Sequence, residues 1–133
     1  MSINLIIAVC VLAVFIISLI IWKSKHRNPY RVKDLVRVEE VNDQGQLYHV
    51  YHHINGLRNG QELYYYSDGK VNKQKHWVAD KLEGESITYF ESGRKYIISN
   101  FNDGLLNGDY LVKDIKGNVV QRYKYENGKR IGG

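Results

Sequence analysis

The chain has 133 residues, a formal net charge of +5, twelve Gly, one Pro and one Cys. That length holds one domain of modest size and excludes an eight-stranded α/β barrel, a kinase or a two-domain dehydrogenase. A single Cys excludes an intrachain disulfide framework and a multi-cysteine zinc site. Eleven Tyr against three Phe point to β-structure that is only half buried.

The first predicted element is a transmembrane helix over about residues 3–22, within a segment 1–22. The run INLIIAVCVLAVFIISLIIW carries no charge. Twenty helical residues rise about 30 Å, the hydrocarbon thickness of a bilayer, and a strand of that length is far outside the usual range. Trp22 stands where an interfacial aromatic stands. A cleaved signal peptide fits less well. Nothing basic precedes the run, the run is long, and no A-x-A site follows. Cys10 lies too deep in the span for juxtamembrane palmitoylation and reads as a small packing residue.

A basic linker follows over 23–37. Lys23, Lys25, Arg27, Arg31, Lys33 and Arg37 face one acid, Asp34, so this stretch carries the net +5 of the whole chain. Residues 38–133 hold 13 basic and 13 acidic side chains. Basic residues flank the cytoplasmic end of a membrane helix, which predicts the N-terminus outside and the C-terminal domain in the cytoplasm. The same six residues are expected against anionic lipid headgroups. A nucleic-acid partner would need basic residues interleaved on the folded domain, and the linker holds the excess instead.

Residues 38–133 read as one repeat. Gly45, Gly69, Gly93 and Gly117 are spaced by 24, and so are Gly60, Gly84, Gly108 and Gly132. Gly56, Gly104 and Gly128 form a third series, with Asp80 in its missing slot. His53, Trp77, Phe101 and Tyr125 keep the same period, as do Leu63, Ile87 and Leu111, then Tyr65 and Tyr89, then Tyr66 and Phe90. A fixed period of this size signals a repeat architecture. Each unit reads as a hairpin. In one, a run Glu62–Tyr66 meets the turn Ser67-Asp68-Gly69-Lys70, a run Val71–Val78 follows, and a loop ends in Gly84. Asn55-Gly56, Asp103-Gly104 and Asn127-Gly128 are hairpin signals. The eight glycines of the first two series are predicted structural turn residues. Within strands the pattern is impure: the face with Trp77 also carries Lys73 and Lys75. A thick core would not tolerate this, whereas a single twisted antiparallel layer would. Trp77, Phe101 and Tyr125 are expected to stack along it.

The units YYYSDGKVNKQKHWVADKLEG, TYFESGRKYIISNFNDGLLNG and VKDIKGNVVQRYKYENGKRIG resemble MORN repeats in their bacterial variant form. The shared pattern is an aromatic pair, x-x-Gly-Lys, an aromatic, Asn-Gly and a second Gly. It runs from near Gly45 to the end, with Lys113 and Asp114 replacing the aromatic pair in the third unit. The Tyr-x-Gly-x-Trp core of the common MORN pattern is absent. The resemblance implies a single-layer antiparallel β-hairpin repeat. It also implies a binding protein, similar to antitoxin or immunity proteins that neutralise a toxin by direct contact, or else a membrane scaffold that binds lipid or assembles with itself.

Catalytic and metal motifs are missing: no G-x-S-x-G, H-E-x-x-H, Walker A or C-x-x-C occurs. His49 and His53 share a strand face but lie ~13 Å apart, and His52 points away, so no single ion is held. Glu83 and Glu85 read as solubilising charges at strand ends rather than a glycosidase pair. The sequence therefore predicts no enzyme, no cofactor and no metal. The candidate binding residues are Tyr64, Tyr65, Tyr66, Trp77, Tyr89, Phe90, Phe101 and Tyr125. Open sheet edges allow pairing with another copy.

Overall fold

A computed structural model describes residues 34–133, together with 16–18 and 22. The chain divides into two compact units, Met1–Arg31 and Val32–Gly133. In the first, Ile16, Ile17, Ser18 and Trp22 are helical and exposed. Among the described residues no helix is long and apolar enough to cross a membrane. The rest of the predicted span lies outside them, as do Lys23, Lys25, Arg27, Arg31 and Lys33.

The second unit is one antiparallel sheet of eleven strands. They are β1 (Val36–Val41), β2 (Leu47–Ile54), β3 (Leu57–Arg58), β4 (Gly60–Tyr65), β5 (Val71–Val78), β6 (Lys81–Leu82), β7 (Gly84–Tyr89), β8 (Lys95–Asn102), β9 (Leu105–Lys113), β10 (Val119–Glu126) and β11 (Lys129–Gly132). The order is β1-β2-β4-β5-β7-β8-β9-β10-β11, with β3 on β2 and β6 on β5. Every substantial contact between elements falls between strands that neighbour each other in this sheet.

Two kinds of turn alternate with the period of 24. At one end of each hairpin the chain turns over Tyr66–Lys70 and its equivalents. The Tyr66 N–H donates to the Lys70 carbonyl at 2.8 Å, and the Gly69 N–H donates back to Tyr66 at 3.0 Å. Gly69 has φ +82°, the left-handed value this turn requires. A register shift beside each turn, such as that between Tyr64 and Tyr65, marks a β-bulge. At the other end sits a two-residue turn with both residues at positive φ, as at Asn55-Gly56 and Asp103-Gly104. In the slot without glycine, Ala79 and Asp80 hold φ 47° and 66° regardless. Each left-handed non-glycine residue costs about 1–2 kcal/mol. Asp80 is held in place by its neighbour: its Oδ1 accepts the Arg58 N–H at 2.7 Å. These turns also link successive units. The N–H groups of Asp80, Gly104 and Gly128 donate to the carbonyls of Arg58, Leu82 and Leu106 at 2.8–3.0 Å.

Several expectations change. The first strand begins at Val36, ahead of the predicted boundary at 38, and Arg37 sits inside it in an ion pair with Glu39. Gly60, Gly84 and Gly108 are not turns. They are kinks at positive φ that open β4 and β7 and lie within β9. Gly132 lies in β11 without a positive φ, so it is not a structural turn residue. No ring contact joins Trp77, Phe101 and Tyr125 among the described residues. Equivalent strands are two places apart, about 9–10 Å, which is beyond stacking distance. Each of the three instead lies across from its unit's kink glycine: Gly60↔Trp77, Gly84↔Phe101 and Gly108↔Tyr125.

The core is thin. One row crosses the sheet as Glu39↔Val50↔Leu63↔Gln74↔Ile87↔Ile98↔Leu111↔Arg122. Val50, Ile87 and Ile98 in this row are buried, and with Ile54 and Trp77 they complete the buried apolar set among the described residues. The opposite face is polar and aromatic, and it carries the candidate site.

Candidate functional site

The site is built around Glu62 of β4, which is only 2% exposed. A buried carboxylate demands partners, because desolvating an unpaired charge costs several kcal/mol. Glu62 finds four. Its Oε1 faces His49 Nε2 at 2.9 Å and accepts the Tyr64 hydroxyl at 3.0 Å. Its Oε2 accepts the Trp77 indole N–H at 2.8 Å and lies 3.4 Å from Lys75 Nζ.

Strand geometry explains the convergence. Tyr64 is two residues from Glu62 and shares its face. Lys75 is directly opposite on β5, and Trp77 is the diagonal neighbour beyond it. His49 pairs with Tyr64 from the other side, on β2, and its ring stacks on Tyr64 at 4.2 Å and 12°. Arg58 lies 3.8 Å over the Trp77 ring and reaches Asp80.

The network extends to the first strand. His49 Nδ1 meets Glu40 Oε2 at 2.8 Å, and Tyr48 donates its hydroxyl to the same oxygen at 3.1 Å. The bulge that skips Tyr48 in the β1–β2 register lets two consecutive residues reach one acid. His49 thus faces a carboxylate at each ring nitrogen.

Electrostatics follow from this wiring. Burial pushes the Glu62 carboxyl up, but the Trp77, His49, Lys75 and Tyr64 contacts outweigh it and hold the group below its ordinary value. The Tyr64 hydroxyl is pushed up to about 12, first by burial and then by the Glu62 charge. Glu40 is lowered chiefly by its hydrogen bond to His49, and Tyr48 is raised chiefly by its bond to Glu40.

Beside the network a cleft of about 350 Å³ opens, lined by Tyr48, Tyr64, Tyr65, Asn72, Lys73 and Lys75. Strict alternation would part Tyr64 from Tyr65, yet both line it, because the bulge at that point interrupts the alternation. Of the other sequence-derived candidates, Trp77 joins the network. Tyr66 does not reach the cleft: it donates its hydroxyl to the Tyr89 carbonyl at 2.6 Å and ties one turn to the next unit. Tyr89 reaches Gln74 at 3.4 Å, Phe90 packs on Tyr96 at 4.5 Å, and Tyr125 meets Tyr110 edge-on at 6.1 Å. Phe101 pairs with Gly84 across β7 and β8. Those four are spread along the sheet away from the cleft.

Sequence reasoning missed Glu62, His49, Tyr48 and Asn72, and read Lys73 and Lys75 as impurities. A signal did exist. At the repeat positions of Glu62 and Lys75 the equivalent cross-strand pairs are Val38↔Tyr51, Ser86↔Ser99 and Tyr110↔Tyr123. An acid and a base replace them in one unit only. Glu83 and Glu85 are not a pair: Glu83 accepts the Asp103 N–H at 3.0 Å, and Glu85 lies 3.6 Å from Lys95. Among the described residues no group of three His, Cys, Asp or Glu side chains is arranged to hold a metal ion.

Fold and site together define a class, a mainly β protein whose many-stranded antiparallel sheet is consistent with a β-hairpin repeat. No family model, no curated protein and no solved structure matches the chain.

Proposed function

We propose that the chain is a membrane-anchored, non-enzymatic module that binds another protein. The observation that carries this reading is the cleft: three tyrosines and two lysines in a wall backed by the hydrogen-bonded network around the buried Glu62. Aromatic side chains with an apolar body and a polar tip are favoured at protein interfaces. The ionisable groups behind the wall support binding over catalysis. Glu62 is held below its ordinary value by four donors and is a poor general base, while Tyr64 at about 12 is a poor acid near neutral pH.

The finer reading follows the sequence. Residues 3–22 form the anchor, residues 23–37 bring the domain to anionic headgroups, and a MORN-like single-layer repeat faces the cytoplasm. In the bacterial variant family the implied task is immunity, in which the sheet covers a toxin and blocks it. The alternative is a scaffold that binds lipid or assembles by edge pairing. The test is a mild-detergent pull-down of the full-length tagged protein from its native membranes. A single stoichiometric protein partner is expected, and co-expression should protect cells if that partner is toxic. Recovery of only the chain itself and lipid would replace this reading with the scaffold.

A further inference from the structure

The six residues that line the cleft divide into two sets. The Tyr48 and Tyr64 hydroxyls are committed to Glu40 and Glu62, and Lys75 is committed to Glu62. These groups fix the wall. The Tyr65 hydroxyl, the Asn72 amide and the Lys73 ammonium make no side-chain hydrogen bond or ion pair among the described residues. They are three donors without acceptors on one concavity, and one of them is a full positive charge.

A donor set of this kind matches an anionic oxygen group, and the one that a protein partner's side chain brings is a carboxylate. Lys73 supplies the charge-assisted hydrogen bond. Asn72 and Tyr65 supply neutral ones. The rings of Tyr48 and Tyr64 supply the apolar flank for a hydrophobic neighbour. The cleft volume of about 350 Å³ suits one or two side chains, not a whole domain. Lys73 is the one cation of the lining with no acid beside it among the described residues, so the complementary charge is left for the partner to bring.

We infer that this cleft captures an acidic side chain flanked by an aromatic or aliphatic residue on a protein partner, with the carboxylate on Lys73, Asn72 and Tyr65. This inference deepens the protein-binding reading above and rests on it. Glu62 sets the geometry from behind as a positioning residue. It keeps Lys75 and Tyr64 turned inward, so the incoming acid meets Lys73 rather than a crowd of competing donors.

The probe is the blocked peptide acetyl-Phe-Glu-Phe-amide, with acetyl-Phe-Gln-Phe-amide and inorganic phosphate as comparisons. The full-length protein is held in phosphatidylcholine nanodiscs, and the Asn72 side-chain amide and Lys73 backbone amide resonances are followed. The Glu peptide is expected to bind about tenfold tighter than the Gln peptide, the value of one charge-assisted hydrogen bond. K73M keeps the apolar stem and removes the charge; it should erase that tenfold difference and leave the Gln peptide unaffected. Equal binding of the two peptides, or an unchanged difference in K73M, overturns the inference. Shifts of the same resonances by phosphate or by phosphatidylserine nanodiscs, lost in K73M, also overturn it and give the cleft to a free anion or a headgroup. The two readings fail separately. If K73M still captures the stoichiometric partner of the wild-type protein, the protein-binding reading stands and the carboxylate site does not.

Discussion

Strands β1–β8 and strands β9–β11 use the same turns on the same period, yet they are stabilised differently. All eight buried side chains among the described residues lie at or before Ser99. The later strands hold half-buried tyrosines, such as Tyr110 against Tyr123 at 6.2 Å, and exposed ion pairs, such as Arg122 with Asp109 at 3.3 Å. At one repeat position the early strands place Glu62 opposite Lys75, and the late strands place Tyr110 opposite Tyr123. A repeat backbone is therefore indifferent to what fills a cross-strand slot, provided the turns are kept. A buried charge with four partners makes its neighbourhood rigid and specific, whereas a tyrosine pair with water at its edge does not.

The largest way to break this contrast is to remove its centre. Glu62→Ala strands the Trp77 indole, the Tyr64 hydroxyl and Lys75 without their acceptor, and should cost about 3 kcal/mol in urea unfolding. Acid acts on the same group. Its folded pKa lies below the unfolded value near 4.5, so its stabilisation is complete above that value and is lost as pH falls through the lowered folded pKa. Amide exchange across β2, β4 and β5 should accelerate in that acid window before exchange across β9 and β10 does. Equal acceleration in both regions would remove the distinction drawn here.

Next in size is the turn glycine between β7 and β8, inside the early region. Gly93 has φ +82° and open space around its Cβ position, so Gly93→Val tests backbone strain alone. A loss of about 2 kcal/mol is expected, against less than about 0.5 for Ser92→Ala at the exposed neighbouring position. Thermal melts of the two variants that coincide would count against the turn assignment.

A smaller effect of opposite sign is expected at Ala79. Its φ of 47° places it where the equivalent turns carry Asn55, Asp103 and Asn127. Ala79→Asn should stabilise the domain by about 0.5–1 kcal/mol, read as a higher melting temperature. Smallest of all is Arg122→Ala. The pair with Asp109 is exposed at both ends, and its removal should change stability by less than about 0.5 kcal/mol. A loss as large as that of Glu62→Ala would mean that the late strands depend on charge as strongly as the early ones.

Much of the fold was legible because turns are local. A left-handed residue needs glycine or asparagine whatever surrounds it, so Gly45, Gly69, Gly93 and Gly117 mark one hairpin end, and Asn55-Gly56 and Asp103-Gly104 mark the other. The kink glycines were visible in position and misread in role, since a strand break and a turn ask the same φ of the chain. The aromatic column was visible too, but its stacking was not a local matter. Period alone does not tell that equivalent residues sit two strands apart.

By itself, then, the sequence determined the 24-residue unit, the places where the chain reverses and the concentration of positive charge over residues 23–37. Only the tertiary structure decided which of the irregular residues meet. Glu62 finds His49 across 13 residues and Trp77 across 15, on strands from either side of its own. Those meetings depend on the register between strands, and the bulges beside each turn set that register one residue at a time. A one-residue slip would turn the buried carboxylate to the other face and dissolve the site. Turn chemistry is written in neighbouring residues, whereas a buried charge is stabilised only by groups that folding brings to it.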